Sequence, residues 1–150
     1  MSNLLKVLLL SMFSFYMISL MSCGSEEQEG PMISDDFSLI GKWYFQHVEV
    51  DAVIGGLPQS ETDETPEGFI EFFEDGTGFS EFLVDAAGFS YGKDENIEWE
   101  RAGSVVTIVE EDGDIDTWNI LIADNQNITA EWAISFGALN QGTITANLSK

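Results

Sequence analysis

One cysteine, one histidine, one arginine and three prolines are all that this 150-residue chain holds of those four types. With Cys23 alone, no intramolecular disulfide and no Cys-x-x-Cys metal site can form. With His47 alone, every paired-histidine zinc arrangement is excluded. Positive charge is equally scarce: 5 basic residues face 27 acidic ones, a formal net charge of −22. A surface that negative repels phosphate backbones, so nucleic acid is not an expected partner, and it gains nothing from an anionic membrane surface. Diffuse acidity of this kind ordinarily serves solubility. Long apolar runs are missing too, except at the very start. Aromatic residues are not missing. They make up 12% of the chain and lie within alternating segments, so the sequence has the material for one packed core.

The start is a different kind of sequence. Lys6 is followed by a largely apolar run from Val7 to Met21, short for a membrane-spanning helix and patterned like a secretory leader. Its end, Leu20-Met21-Ser22-Cys23, resembles the lipobox of bacterial lipoproteins. That resemblance implies cleavage before Cys23, a diacylglycerol on its thiol and a further acyl chain on the new amino terminus. Two or more chains hold a protein stably to a bilayer, where one does so only marginally. Residues 1–22 are thus expected to be a lipoprotein signal peptide. Residues 23–38 are expected to be the lipidated cysteine and a flexible acidic tether, because Gly24-Ser25-Glu26-Glu27-Gln28-Glu29-Gly30 has nothing to bury. The acidic run also resembles the surface-export signal of some Gram-negative lipoproteins; a plain linker explains it equally well. The implied location is the outer membrane of a Gram-negative bacterium, facing the periplasm or the medium, with the membrane as partner through Cys23.

Residues 39–150 read as one β domain. Gly41 to Ala52 alternates, with Trp43, Phe45 and His47 on one face and Tyr44, Val48 and Val50 on the other. Val53 to Gly68, with Gly55-Gly56, Pro58 and Pro66, reads as a long loop. Strands are expected at Glu67–Phe73 and Thr77–Val84, joined at Asp75-Gly76, a strong hairpin signal. Val84 to Asp94 reads as a second loop. Four more strands follow at 96–100, 105–109, 115–122 and 127–136, and a last one at 142–148. Trp118, Ile120 and Ile122 are expected to share a face, as are Ile128, Ala130, Trp132, Ile134 and Phe136. Eight strands with hairpin-short connections suit an antiparallel up-and-down barrel better than a Greek-key sandwich, which needs longer crossings.

Gly41-Lys42-Trp43 on the first strand, Phe69-Ile70-Glu71-Phe72-Phe73-Glu74-Asp75-Gly76-Thr77-Gly78 at the second hairpin, and Thr107-Ile108 before Asp112-Gly113-Asp114 and Trp118 together resemble the lipocalin superfamily. The likeness is in particular to the small lipocalin-like domains of bacterial lipoproteins. The resemblance implies a barrel whose floor is closed by Trp43. It also meets departures: there is no Thr-Asp-Tyr motif, and no sequence follows the last strand to form the helix of large lipocalins. Arg101 sits at the end of a middle strand, away from Trp43. A ligand therefore does not carry over from the large members.

Two functions stay open. One is a binding module for a small apolar ligand, with Phe45, Phe72, Phe89, Tyr91, Trp99, Trp118 and Trp132 as candidate lining. The other is a filled barrel acting as a structural or protein-interaction module, using outward Tyr44, Val50, Phe69 and Phe73. Connections of a meander alternate between its ends, so the two long loops should share the open mouth, opposite Trp43. No catalysis and no cofactor are expected: the only thiol is committed to lipid, and His47 reads as a wall residue. Glu98 and Glu100 read as an outer solvated face rather than a glycosidase pair. Asp112-x-Asp114-x-Asp116 begins like a calcium loop, but Thr117 and Ala123 stand where the glycine and glutamate are required, so no metal site is expected.

Overall fold

The computed structural model describes residues 30–86, 88–135 and 140–150, and of Phe89 the backbone alone. The leader, Cys23, Phe136 and most of the connection at 136–140 lie outside the described residues. Ten strands are present among those described, and no helix: β1 Met32–Ile33, β2 Gly41–Ile54, β3 Leu57–Asp63, β4 Glu67–Phe72, β5 Thr77–Ala86, β6 Phe89–Ala102, β7 Val105–Glu110, β8 Ile115–Ala123, β9 Asn127–Ser135 and β10 Gln141–Ser149.

Eight of them close an antiparallel barrel in the order β2-β4-β5-β6-β7-β8-β9-β10, and β10 returns to β2 from Gln141↔Val53 to Ser149↔Tyr44. Closure leaves no open edge in this ring. The expected fold is therefore the observed one. Asp75-Gly76 makes the β4–β5 hairpin as its sequence demands: Gly76 has φ 83°, and Asp75 Oδ1 accepts hydrogen bonds from the Thr77 amide at 3.0 Å and its hydroxyl at 2.7 Å.

Neither expected long loop is a loop. Residues 57–63 pair with the upper half of β2, from Val48↔Asp63 to Ile54↔Leu57, around a two-residue turn at Gly55-Gly56. Pro58 is tolerated because β3 is laddered only to β2, leaving its other side free of pairing demands. The β5–β6 hairpin likewise runs on to Ala86↔Phe89. Near the start of β4, Gly68 has φ 109° and a Cβ there would lie 2.0 Å from the Glu81 carbonyl oxygen, so only glycine fits.

Two bulges re-aim side chains. Leu148 pairs with Phe45 while Asn147 pairs with His47, so Gln46 is an extra residue in β2. Below it Trp43 and Phe45 point inward; above it Val48, Val50 and Ala52 do. Val50 is thus core, not surface. A second irregularity between Ile120 and Ile122 turns Ile122 out to 47% exposure and gives its inward place to Ala123.

The folded body also starts earlier than residue 39. β1 runs parallel to β8, with Met32 opposite Ile122, and Phe37 and Leu39 are buried against the barrel. Residues 32–38 are therefore packed structure rather than tether.

A cup above an aromatic plug

The turns after β2, β5, β7 and β9 gather at one end of the barrel. Those after β4, β6 and β8 lie at the other, together with the entry to β2 and Lys150. Trp43 is wholly buried at this second end, and its indole nitrogen donates to the Leu39 carbonyl at 2.6 Å. The Lys150 ammonium lies 4.3 Å above its ring, and Phe37 packs 6.2 Å away with the Arg101 guanidinium 4.6 Å over Phe37. A cation does stack on the first tryptophan, then, but it comes from Lys150, just past β10.

Trp99 belongs to the same end. Its ring meets Phe72 edge-on at 5.2 Å and its indole nitrogen donates to Thr77 O at 2.9 Å. Above this, Trp118 and Trp132 stack at 4.5 Å with planes 16° apart. Phe45, between Phe82 at 4.7 Å and Trp118 at 6.5 Å, completes a plug across the barrel. Each such ring buries about 150–250 Å², worth roughly 4–6 kcal/mol as an upper bound. Of the expected lining residues, Phe45, Phe72, Trp118 and Trp132 build the plug, and Trp99 lies at the floor. Tyr91 alone opens upward; the Phe89 side chain is outside the described residues.

Above the plug lies a cup of about 1000 Å³. It is two-sided. Ala52, Ile134 and Gly142 give an apolar patch on β2, β9 and β10, bordered on the same strands by Asp51, Ser135, Gln141 and Thr143; Tyr91, Lys93, Glu110 and Asp116 form a charged wall on β6, β7 and β8. Tyr91, Lys93 and Glu95 sit at alternate positions of one strand and so share its inner face. A void of about 10 Å³ lies beneath them, bordered by Lys93, Glu95, Glu110, Asp116 and Trp118.

The charged wall has one cation. The Lys93 ammonium bonds directly to Glu110 and lies 3.5 Å from Glu95, while Glu95 Oε2 also accepts from the Glu111 amide at 3.1 Å. Asp116 Oδ2 accepts from the Tyr91 hydroxyl at 3.3 Å. Burial pushes the Glu110 and Asp116 carboxyls up from their ordinary range, although Lys93 pulls both down. Burial would lower the Lys93 ammonium, but its bond to Glu110 and the surrounding carboxylates raise it instead. Burial, Asp116 and Glu110 push the Tyr91 hydroxyl far up, which keeps it a donor.

Glu95, Glu110 and Asp112 bring carboxylate oxygens within 4.8 Å of one another, but the Lys93 ammonium already bridges two of them. The aspartates of the calcium-like spelling part ways: Asp112 accepts from the Asp114 amide at 3.0 Å in its own turn, while Asp116 faces the cup. His47 pairs with Glu64 at 3.0 Å on the half-exposed outer wall. Gly88-Phe89-Ser90-Tyr91-Gly92 and the overlapping Ser90-x-x-Lys93 spell two serine-nucleophile patterns. Here they form one arm of a β-hairpin rather than a strand-to-helix elbow, with Ser90 exposed and Lys93 on the opposite face. Lys93, Glu95, Glu110 and Asp116 were missed as site residues. The signal was the alternation Tyr91-x-Lys93-x-Glu95-x-Ile97, which runs from the expected loop into the strand expected at 96–100.

A closed eight-stranded antiparallel meander, plugged at the Gly-x-Trp end and open at the other, defines a lipocalin-like barrel. The lipocalin-like domain family matches residues 39–130, more than half of the chain, and the chain belongs to that family. No curated protein sequence matches it.

Proposed function

We propose that this is a binding protein rather than an enzyme. In this reading it is a lipoprotein anchored through lipid on Cys23 to the outer membrane of a Gram-negative bacterium, and it takes a small ligand in the cup. The observation that carries the reading is the cup itself: about 1000 Å³, with an apolar patch facing a charged, hydrogen-bonding wall, on an aromatic base. A filled barrel has no such space. The test of binding is calorimetry with a panel of small apolar-bodied molecules bearing neutral, cationic and anionic head groups, on wild type and Ala52→Trp. The indole is aimed at the cup from the apolar patch. A ligand that binds wild type should lose at least tenfold in affinity; unchanged binding would place the site elsewhere. The anchor has its own test: Cys23→Ala should move the protein from the membrane to the soluble fraction, and a variant that still fractionates with membranes removes the lipoprotein reading.

One observation favours the second reading, a protein-interaction module. Tyr44, Phe69 and Phe79 form an outward stripe across β2, β4 and β5, with ring centroids 6.1 Å apart in each step and the Lys42 ammonium 3.7 Å over Phe69. If no member of the panel binds wild type, this stripe is the surface to mutate next.

A further inference from the structure

We infer, resting on the cup reading, that the ligand is a small amino alcohol with an apolar body: an organic ammonium with a hydroxyl beside it. Charge comes first. Three carboxylates, Glu95, Glu110 and Asp116, surround one ammonium, and that ammonium is spent on Glu95 and Glu110. Asp116 accepts from the Tyr91 hydroxyl, shares a hydrogen bond with Glu110 and feels Lys93 only at longer range, so one ammonium serves three carboxylates. An anion entering the cup meets uncompensated negative charge. A neutral molecule leaves Asp116 as it is, and only a cation compensates it. The remaining lining carboxylates, Asp51 and Asp114, carry the same sign.

Size and polarity then choose among cations. A bare metal ion has no use for about 1000 Å³ or for the apolar patch of Ala52 and Ile134, and at the carboxylate trio it must displace Lys93. An amine on an apolar body uses both the patch and the charged wall. The hydroxyl comes from an independent observation. Trp118 is 3% exposed, its indole N–H has no acceptor among the described residues, and it borders the void that Asp116, Lys93 and Glu110 also border. A buried donor without a partner is costly. Asp116 and Trp118 stand two residues apart on one inner face of β8, so adjacent ammonium and hydroxyl groups on a ligand can address the two together. The void of about 10 Å³ suits a single oxygen and nothing larger.

The experiment is calorimetry with four matched probes: 1-amino-4-phenylbutan-2-ol, 4-phenylbutylamine, 4-phenylbutanol and 4-phenylbutyrate. The amino alcohol should bind at least tenfold more tightly than the alcohol and at least threefold more tightly than the plain amine, and the butyrate should bind weakest. Asp116→Asn, with folding checked by circular dichroism, should shrink the gap between amino alcohol and alcohol to under threefold. The inference is overturned if the alcohol or butyrate matches the amino alcohol, if the plain amine matches it, or if Asp116→Asn leaves the gap intact. Tight calcium binding that excludes the amino alcohol from wild type would also overturn it. In the first three cases the cup still binds and the broader reading survives. Binding of none of the four probes to wild type removes both.

Discussion

Below the stacked Trp118–Trp132 pair the barrel is aromatic and closed; above it the same strands carry Tyr91, Lys93, Glu110 and Asp116 around open space. The lower half is a core in the ordinary sense, each ring touching others and Trp43 sealed by Leu39, Phe37 and Lys150. The upper half buries charge, which packing alone never favours. Stability and binding are thus assigned to opposite ends, and substitutions at the two ends should differ in kind.

The largest effect belongs to the floor. Trp43→Ala should destabilise by about 4 kcal/mol in urea unfolding, because a wholly buried indole leaves a cavity that a closed barrel cannot collapse into. A loss below about 1 kcal/mol would mean the floor does not hold the barrel together. At the other end, Lys93→Met should cost about 3 kcal/mol by leaving Glu110 buried and unpaired, while the double variant Lys93→Met, Glu110→Met should recover most of it. No such rescue exists at the floor. If the double variant is as unstable as the single one, the ion pair matters through packing and the contrast between the ends fails.

pH separates the ends more gently. Glu110 and Asp116 have folded pKa values above their unfolded ones, so the folded state takes up these protons first. Their contribution to stability falls as pH rises through the range just above ordinary carboxylate values. Asp75 and Asp124, in the tight turns of the floor end, are held low by hydrogen bonds from Thr77 and from the Gln126 and Asn127 amides. Their contribution is present above the ordinary value and is lost as pH falls below it. Between pH 5 and 8, then, the Asp116→Asn urea midpoint should vary less than that of wild type, while Asp75→Asn should leave the slope in that window unchanged. Equal slopes in wild type and Asp116→Asn would remove the cup from the titration. Smallest of all, Tyr91→Phe should cost about 0.5 kcal/mol, the net worth of one half-buried hydrogen bond, measured by the same unfolding.

Much of this molecule was legible. Gly41-x-Trp43, Asp75-Gly76 and the strict alternation of residues 128–134 placed the barrel and its floor, and the alternation of connections placed the mouth. What stayed hidden has physical causes. Pro58 and the glycines at 55 and 56 read as a loop because sequence does not reveal that β3 pairs on one side only. The Gln46 bulge reverses the phase of β2 halfway along, and a period-2 reading has no means to detect one inserted residue. The charged wall was missed because inward positions were sought by hydrophobicity, whereas the site is where that rule is broken.

The short parallel strand β1 has a topographic consequence. It joins β8 beside Ile122 and Ala123, next to the turn after β8, so the chain reaches the barrel on its plugged side. The span from Cys23 to Met32 reaches at most about 30 Å even when fully stretched. Because β8 descends from the rim to the plugged end and β1 runs parallel to it, the chain meets the outer wall while travelling away from the rim, and that reach is about the length of one strand.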